Sequence, residues 1–252
     1  DRRVVEYVED PAEEVSLVEA QKQNTNAEVG DILKVPVHSD KFGRIATQNA
    51  KNVILQKIRE EERKVLFDQY HGNEKEVVTG IVQRVVGHNV SVNLGKADAI
   101  LAENEQVKGE TFKPTERIKV YILEVKDTPK GPRILVSRTH PGLVKRLFES
   151  EVAEVKDGTV EIKSIAREAG SRTKLAVWSN DPDVDPVGAC VGVNGARVSA
   201  IVNELRGEKI DIINWDENPA ILIENALSPA KVIAVMADPD EKTALVVVPD
   251  YQ

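Results

Sequence analysis

The pattern of apolar and polar positions divides the chain into a helical segment, a β-rich segment and a mixed segment. Across 44–70, apolar residues recur at helical spacing without an internal Gly or Pro. This pattern predicts a long helix that ends at Gly72. The residues before it contain short β-forming runs at 4–8 and 31–37, which predict a small, incomplete α/β element.

Short runs of strand-forming residues separated by turn signals follow the long helix. The five runs are 76–86, 89–94, 97–101, 118–126 and 133–137. In the second run Val90, Val92 and Leu94 alternate with polar residues, so one face should be buried and the other wet. Five such strands predict a five-stranded barrel of the OB type.

The rest of the chain mixes helical and strand patterns. Their predicted order is helix, strand, strand, helix, glycine loop, helix, strand. The segments are 142–152, 159–167, 174–178, a short helix opening at Asp185-Pro186, the loop 192–195, a helix at 197–205 and a strand at 209–215. A similar order then begins again, with helical segments at 219–226 and 229–236 and a strand at 244–248.

Length and composition fit a folded protein of several small domains. The chain has 252 residues, of which 41% are hydrophobic and 30% charged, which favours two or three globular domains over disorder. The single cysteine, Cys190, cannot form an internal disulfide, which favours a reducing, cytoplasmic setting. No apolar run of about 18 residues predicts a membrane span. The chain begins at Asp1 inside apparently structured sequence, so we interpret it as a fragment.

Charge is unevenly distributed along the chain. The net charge is −8, yet residues 41–71 carry 7 basic and 4 acidic groups and residues 72–140 carry 11 and 9. The two ends are acidic. This distribution favours phosphate binding at local grooves and loops over a broad basic surface.

The loop Gly192-Val193-Asn194-Gly195 is the motif that carries most functional information. With 15 glycines in 252 residues, about one GxxG spacing is expected by chance, so a simple tight turn is an equal alternative for the loop alone. Its predicted place between two helices matches the loop with which KH modules clamp the backbone of single-stranded RNA. Glycines let that backbone approach closely, and the next helix offers N–H groups to phosphate. Arg197 follows as a candidate phosphate contact.

Other candidate side chains are weaker. In the barrel the predicted RNA contacts are Arg84, Lys130, Arg133 and Arg138. Only Phe112 and Tyr121 could add aromatic stacking there, so we expect modest, salt-sensitive binding. Trp178 and Trp215 are interpreted as packing residues.

No catalytic or cofactor site is predicted. Cys190 is interpreted as a small buried residue and not a reactive thiol. The four histidines are scattered, without the spacing of a metal site, and no paired carboxylates suggest acid–base chemistry. We therefore expect neither metal nor cofactor and no enzymatic activity.

Longer stretches resemble the NusA family of bacterial transcription factors. The run from Asp185-Pro186-Val187-Gly188-Ala189-Cys190 through Val198, with 207–212 and 215–220, is similar to the family's first KH domain. The stretches 166–174 and 46–51, with the helix around 56–63, are similar to other parts of the same family. The resemblance covers almost the whole chain.

The resemblance implies a multidomain α/β architecture. Its expected parts are a partial polymerase-binding domain with a linking helix at 1–71, an S1 barrel at 72–140, a type II KH domain at 141–216 and the start of a second KH domain at 217–252. It also implies that Arg172 and Lys174 contact RNA, beside the loop residues. The implied activity is control of elongation, pausing, termination and antitermination by a monomer that binds nascent RNA, RNA polymerase and other Nus-type factors.

The basic residues of the long helix admit two interpretations. Lys51, Lys57, Arg59 and Arg63 stand beside an acidic run at 60–62. Such a face is usually solvated and held by pairs three or four residues apart. The resemblance favours a role in docking to RNA polymerase.

Two rival functions remain at this point. Polynucleotide phosphorylase also combines KH and S1 modules, but it places KH before S1 and adds large catalytic domains. An RNA-binding cap subunit of an exosome also runs S1 then KH. The long helix before the barrel and the start of a second KH domain favour a NusA-type factor over the cap subunit.

Overall fold

The computed structural model describes residues 1–35 and 43–251, except for the side chains of residues 44 and 45. The chain forms two compact units, Asp1–Arg59 and Glu60–Gln252, which are described separately. The end of the strand predicted at 31–37 lies outside the described residues. Within those residues, no helix combines the length and the apolar content needed to cross a bilayer.

The first unit contains a small three-stranded sheet. Its strands are β1 (Arg2–Val5), β2 (Glu14–Ser16) and β3 (Ile32–Leu33), in the order β2-β1-β3. Helix α1 (Leu17–Gln23) is capped by the Ser16 hydroxyl, which accepts a hydrogen bond from the Glu19 N–H. A few small buried side chains, Val4, Val15, Ala20 and Ala27, form its core.

The predicted long helix is α2 (Arg44–His71), which ends one residue before Gly72. Its last turns belong to the second unit, where Tyr70 is buried in the core of the barrel. Arg63 donates a hydrogen bond to the Pro129 carbonyl at 2.6 Å, on the turn between two barrel strands. The C-terminal part of α2 is thus packed on the barrel.

The predicted barrel of five strands is confirmed. Its strands are β4 (Val77–Val86), β5 (Asn89–Asn93), β6 (Asp98–Leu101), β7 (Arg117–Lys126) and β8 (Arg133–Ser137), closed in the order β4-β5-β6-β8-β7. Alternate residues such as Val90 and Val92 fill its interior. Gly80 allows β4 to approach β5 closely, since a Cβ there would lie 2.3 Å from Val92 Cγ1.

The mixed segment has the topology of a type II KH domain. In chain order it contains α3 (Pro141–Glu151), α4 (Ala153–Lys156), β9 (Val160–Glu168), β10 (Arg172–Ser179), α5 (Pro186–Val191), α6 (Ala196–Glu204) and β11 (Lys209–Asn214). Strand β10 lies between β9, to which it is antiparallel, and β11, to which it is parallel. Leu175, Cys190 and Ile201 belong to the core between this sheet and its helices.

The C-terminal residues form α7 (Pro219–Leu227) and a hairpin of β12 (Ala234–Asp238) and β13 (Thr243–Val247). The helical segment predicted at 229–236 is therefore wrong. Its apolar residues alternate in exposure, as Val235 and Ala237 do against Met236, and they pair with the β-branched run of β13. Pairing with a neighbouring strand prevailed over a pattern too short to decide between helix and strand.

A buried arginine joins the barrel to the KH domain. Arg138 is 1% exposed, and its guanidinium binds both carboxylate oxygens of Glu110 at 2.6 and 2.7 Å. It also donates to the carbonyls of Lys119, in the barrel, and Glu204, in α6. These four hydrogen bonds fix the planar guanidinium within one seam.

The prediction that Arg138 contacts RNA is therefore corrected. Its side chain is enclosed, and its charge is neutralised by Glu110 and Glu204. The sequence pattern suggested an exposed residue because Arg138 directly follows a barrel strand, in a segment where loops usually face solvent. The side chain is buried because the adjacent KH domain packs against this end of the barrel.

The Arg138→Met substitution should destabilise the chain by about 3–5 kcal/mol, because it leaves the Glu110 carboxylate buried without its partner. Urea denaturation measures this change. The control is Arg117→Met, at an exposed barrel position, which should change stability by no more than about 0.5 kcal/mol. Full stability together with a loss of RNA affinity in the Arg138 variant would restore its role as an RNA contact.

Candidate nucleic-acid interface

The four loop residues join α5 to α6 in a conformation that requires glycine at its first position. Gly192 and Gly195 both have φ of +75°, and Asn194 has φ of +52°. The Gly195 N–H donates to the Gly192 carbonyl at 3.1 Å, which closes the turn. The Val193 side chain is 83% exposed. The loop therefore presents backbone and one apolar side chain outward.

Arg197 supports the loop from beneath. Its aliphatic stem lies against Gly192, where a Cβ would come within 2.7 Å of Arg197 Cγ. Its guanidinium donates to the Ala189 carbonyl at 2.6 Å and pairs with Glu154 at 2.9 Å. Arg197 lies beside the loop as predicted, but its side chain is engaged with α4 and α5.

The N-terminus of α6 opens at the same loop. Helix α5 is capped by Asp185, whose carboxylate accepts from the Val187 and Gly188 N–H groups. Helix α6 begins at Ala196, and its N-cap residue Gly195 supplies no side-chain cap, although the Ala196 N–H donates to the Val193 carbonyl. The partial positive charge of a helix N-terminus favours an anion at such a position. Cys190 is buried at the end of α5, and burial raises the pKa of its thiol to about 11, which keeps it a neutral packing residue.

Arg172 and Lys174 lie elsewhere in the domain. On β10 they alternate with Thr173 and Leu175, which are buried on the side of the sheet that the helices cover. Arg172 pairs with Asp211 at 2.5 Å, and Lys174 donates to the Ala226 carbonyl of α7. The fold therefore places these two candidates on the sheet face opposite to α5 and α6, away from the helices that carry the loop.

The remaining barrel candidates are exposed. Arg84 is on β4, Lys130 is in the turn after β7, and Arg133 begins β8. The two aromatic candidates are engaged in packing, since Phe112 lies 5.3 Å from the Arg206 guanidinium and Tyr121 is 7% exposed and stacked on His140. This arrangement leaves the barrel with cations but without those two stacking platforms.

The basic residues of α2 fall on both sides of the division between the two units. Lys51, Lys57 and Arg59 are exposed on the first unit. Arg63 belongs to the second unit and is partly engaged by the Pro129 carbonyl. Three of the four candidates therefore remain on an accessible helix surface.

Reasoning from sequence missed a second buried ion pair, which anchors the KH sheet. Arg167 is 0% and Glu208 is 1% exposed in their side chains, and they form two hydrogen bonds of 2.9 Å. Glu208 also accepts from the Thr173 hydroxyl and the Gly170 N–H. In the sequence, the run 207–212 is distinguished only by its resemblance to the family. The available signal was an arginine before a predicted hairpin turn and a glutamate after the end of a helix. Charged residues at such positions are usually exposed, so the signal does not distinguish a buried ion pair.

Burial opposes ionisation of Glu208, yet the hydrogen bonds from Arg167, Thr173 and Gly170 prevail and lower its pKa. Glu208 consequently holds the β9–β10 hairpin against the start of β11. Among the described residues, no three His, Cys, Asp or Glu side chains converge in a way that could hold a metal ion.

Comparison with known proteins agrees with this domain order. A model of the NusA N-terminal domain matches residues 1–64, a model of the S1 RNA binding domain matches residues 72–137, and a model of the NusA-like first KH domain matches residues 138–215. The loop 192–195 falls within the last of these matches.

Curated relatives extend the similarity over the whole chain. The transcription termination/antitermination protein NusA of Bacillus subtilis is 54% identical over 99% of this chain and 67% of its own length. This chain belongs to the NusA family. The NusA proteins of Halalkalibacterium halodurans and Thermus thermophilus are 52% and 45% identical, over 100% and 97% of this chain and 66% and 64% of their own lengths. The chain thus spans about two thirds of these relatives.

Membership in the NusA family decides between the two S1–KH interpretations. The relatives named above are NusA proteins, and residues 1–64 also match the NusA N-terminal domain. The interpretation as a NusA-type transcription factor is confirmed, and it is favoured over the interpretation as an exosome cap subunit.

The Glu208 pair predicts a specific acid sensitivity. Because the pKa of Glu208 is below its ordinary value of 4.5, its stabilisation is present above that value and is lost as pH falls through the lower, folded pKa. The free energy of unfolding of Glu208→Gln should therefore fall less steeply than that of the unmodified chain between about pH 5 and about pH 3.

Urea denaturation at a series of pH values measures both slopes. Glu168→Gln, at an exposed position on β9, serves as the control and should keep the original slope. Equal slopes in the Glu208 variant and the unmodified chain would contradict a depressed pKa at this site.

Proposed function

We propose that this chain is the RNA-binding portion of a NusA-type transcription factor that regulates elongation, pausing, termination and antitermination. It binds the backbone of single-stranded nascent RNA at the loop 192–195 and contacts RNA polymerase through its N-terminal residues. It carries out no chemistry on the RNA. Other Nus-type factors are expected partners.

The observation that carries this proposal is the geometry of the GxxG loop. Two glycines with positive φ leave the backbone accessible, and the uncapped N-terminus of α6 starts within the loop. A phosphate there would meet N–H groups and the positive end of a helix without needing a nearby free cation. Arg197, being paired with Glu154, supports the loop more than it supplies charge.

The barrel would contribute a secondary, electrostatic contact. Arg84, Lys130 and Arg133 are exposed, whereas Phe112 and Tyr121 are packed. Binding at the barrel should therefore depend steeply on salt and weakly on base identity. The KH loop would determine where the RNA is held.

The proposal is tested by placing a carboxylate at Gly195. Its left-handed backbone conformation suits Asn and Asp, and a Cβ there would meet only ordinary contacts, the nearest being Ser199 Oγ at 3.8 Å. Gly195→Asp should weaken binding of single-stranded RNA about tenfold at low salt, since a carboxylate close to phosphate costs about 1 kcal/mol or more. Fluorescence anisotropy with a labelled RNA of mixed sequence measures the affinity.

Gly195→Asn is the matched control, because it has the same shape without the charge. It should retain RNA affinity within about threefold, which corresponds to less than about 1 kcal/mol. Circular dichroism checks that both variants fold. Unchanged RNA affinity in the folded Asp variant would reject the loop as the phosphate contact.

The polymerase contact is tested separately on α2. Lys51 and Arg59 are exposed on the first unit, so the double variant Lys51→Glu, Arg59→Glu should reduce capture of RNA polymerase in a pull-down and leave RNA affinity unchanged. The charge-matched control reverses Lys108 and Lys113, which are exposed in the barrel segment. Equal loss of RNA and polymerase binding in the α2 variant would reject a dedicated docking helix.

A further inference from the structure

The two tryptophans of the chain lie together at one end of the KH sheet. Trp178 is near the end of β10 and Trp215 directly follows β11, and because these strands are parallel their ends meet. The rings pack edge to face with centroids 5.7 Å apart. Trp178 thus packs on Trp215 as predicted, but it is also 42% exposed, so part of its ring remains accessible.

A groove of about 580 Å³ opens beside this pair, which we call the tryptophan groove. Pro182, Val184 and Pro186 form apolar parts of its wall. Pro186 is the first residue of α5, while Pro182 and Val184 lie in the connection between β10 and α5, which is held by hydrogen bonds around Asp181. The groove is therefore a surface with an aromatic face and a shaped apolar wall.

The charged residues that line the tryptophan groove are acidic, beside the neutral polar residues Ser179, Asn180 and Asn214. Asp181 and Asp216 line it, and one oxygen of each is held by a backbone N–H, from Asp183 and Asn218 respectively. The two segments that form it, 178–186 and 214–219, contain five carboxylates and no basic residue. The chain thus surrounds an exposed indole with negative charge.

The ammonium group of Lys163 already contacts one ring of the pair, that of Trp215. Lys163 Nζ lies 5.5 Å from the centroid of the Trp215 ring and pairs with Glu161 at 2.6 Å. This is an aromatic face and a carboxylate sharing one cation. Trp178, with Asp181 beside it in the groove, offers the same two elements to a cation from outside.

The chemistry of the groove disfavours RNA. An exposed tryptophan can stack on a nucleobase, but the phosphates that accompany the base would face the carboxylates. The groove also lies at the N-terminal end of α5, whereas the RNA loop lies at its C-terminal end. Arginine suits the groove better, because its planar guanidinium stacks on aromatic faces and pairs with carboxylates.

We propose that the tryptophan groove is a docking site for an arginine-bearing, extended peptide segment of a partner protein. The arginine stacks on Trp178 and pairs with Asp181 and Asp216, while apolar or proline residues beside it pack on the proline-rich wall. The site is independent of the GxxG loop, so the chain can hold RNA and a protein segment at the two ends of α5.

The position of the two tryptophans allows peptide binding to be measured by their fluorescence. Since both lie at the groove, intrinsic fluorescence reports its occupancy without a label. The probe is a short peptide of alternating arginine and proline, titrated into the 252-residue chain at low salt, beside the same peptide with glutamate in place of arginine. We expect a saturable change with the arginine peptide only.

Two variants locate the site. Trp178→Ala leaves Trp215 as the reporter and should weaken binding of the arginine peptide about tenfold, because it removes the ring on which the guanidinium stacks. Asp181→Asn with Asp216→Asn keeps the groove's shape and should weaken it similarly. The matched control, Asp127→Asn with Asp240→Asn, removes the same charge at exposed positions elsewhere and should keep the original affinity.

Three outcomes would overturn the proposal. One is the absence of a saturable change with the arginine peptide, and another is equal binding by the glutamate peptide. The third is a response to single-stranded RNA that Trp178→Ala abolishes, which would make the groove a base-stacking platform. Gly195→Asp should leave peptide affinity unchanged, so failure of the RNA loop and failure of the groove are distinguishable.

Discussion

The second unit depends on keeping a guanidinium charge buried between two domains. Arg138 comes from the end of the barrel, Glu110 from a barrel connection and the Glu204 carbonyl from a KH helix. Since an unpaired charge at this depth would cost several kcal/mol, the three elements must meet in one arrangement. Arg206, which binds Glu116 and covers Phe112, extends the same constraint toward the outside of the seam. The position of the GxxG loop relative to the barrel therefore depends on this seam.

Much of this fold was predictable because each local pattern agrees with its surroundings. The barrel strands alternate cleanly, and the long helix has no Gly or Pro within it. The helix predicted at 229–236 was wrong because its apolar pattern is too short to distinguish a helix from a strand, and hairpin pairing with β13 decided for the strand. The prediction that Arg138 contacts RNA was wrong because the exposure of a residue depends on what packs over it. Here the adjacent KH domain covers the side chain.

The site was predictable to the level of its backbone and less so at its side chains. The glycine positions indicate where positive φ is needed, so the loop could be placed. The partners of Arg172, Lys174 and Arg197 could not be predicted, because each side chain pairs with a group on another helix or strand. The partial exposure of Trp178 was not predictable, because residue type alone favours burial, whereas this ring lies at the end of a sheet.

The contact between Gly192 and Arg197 has a thermodynamic consequence. The guanidinium is held by Ala189 and Glu154, and its stem leaves the loop little freedom to reshape. A loop preorganised in this way loses little conformational entropy when a ligand arrives. The ordering cost of the complex would then fall mainly on the RNA strand. Stretches of transcript that are unpaired and already extended would pay less of that cost than fully flexible ones.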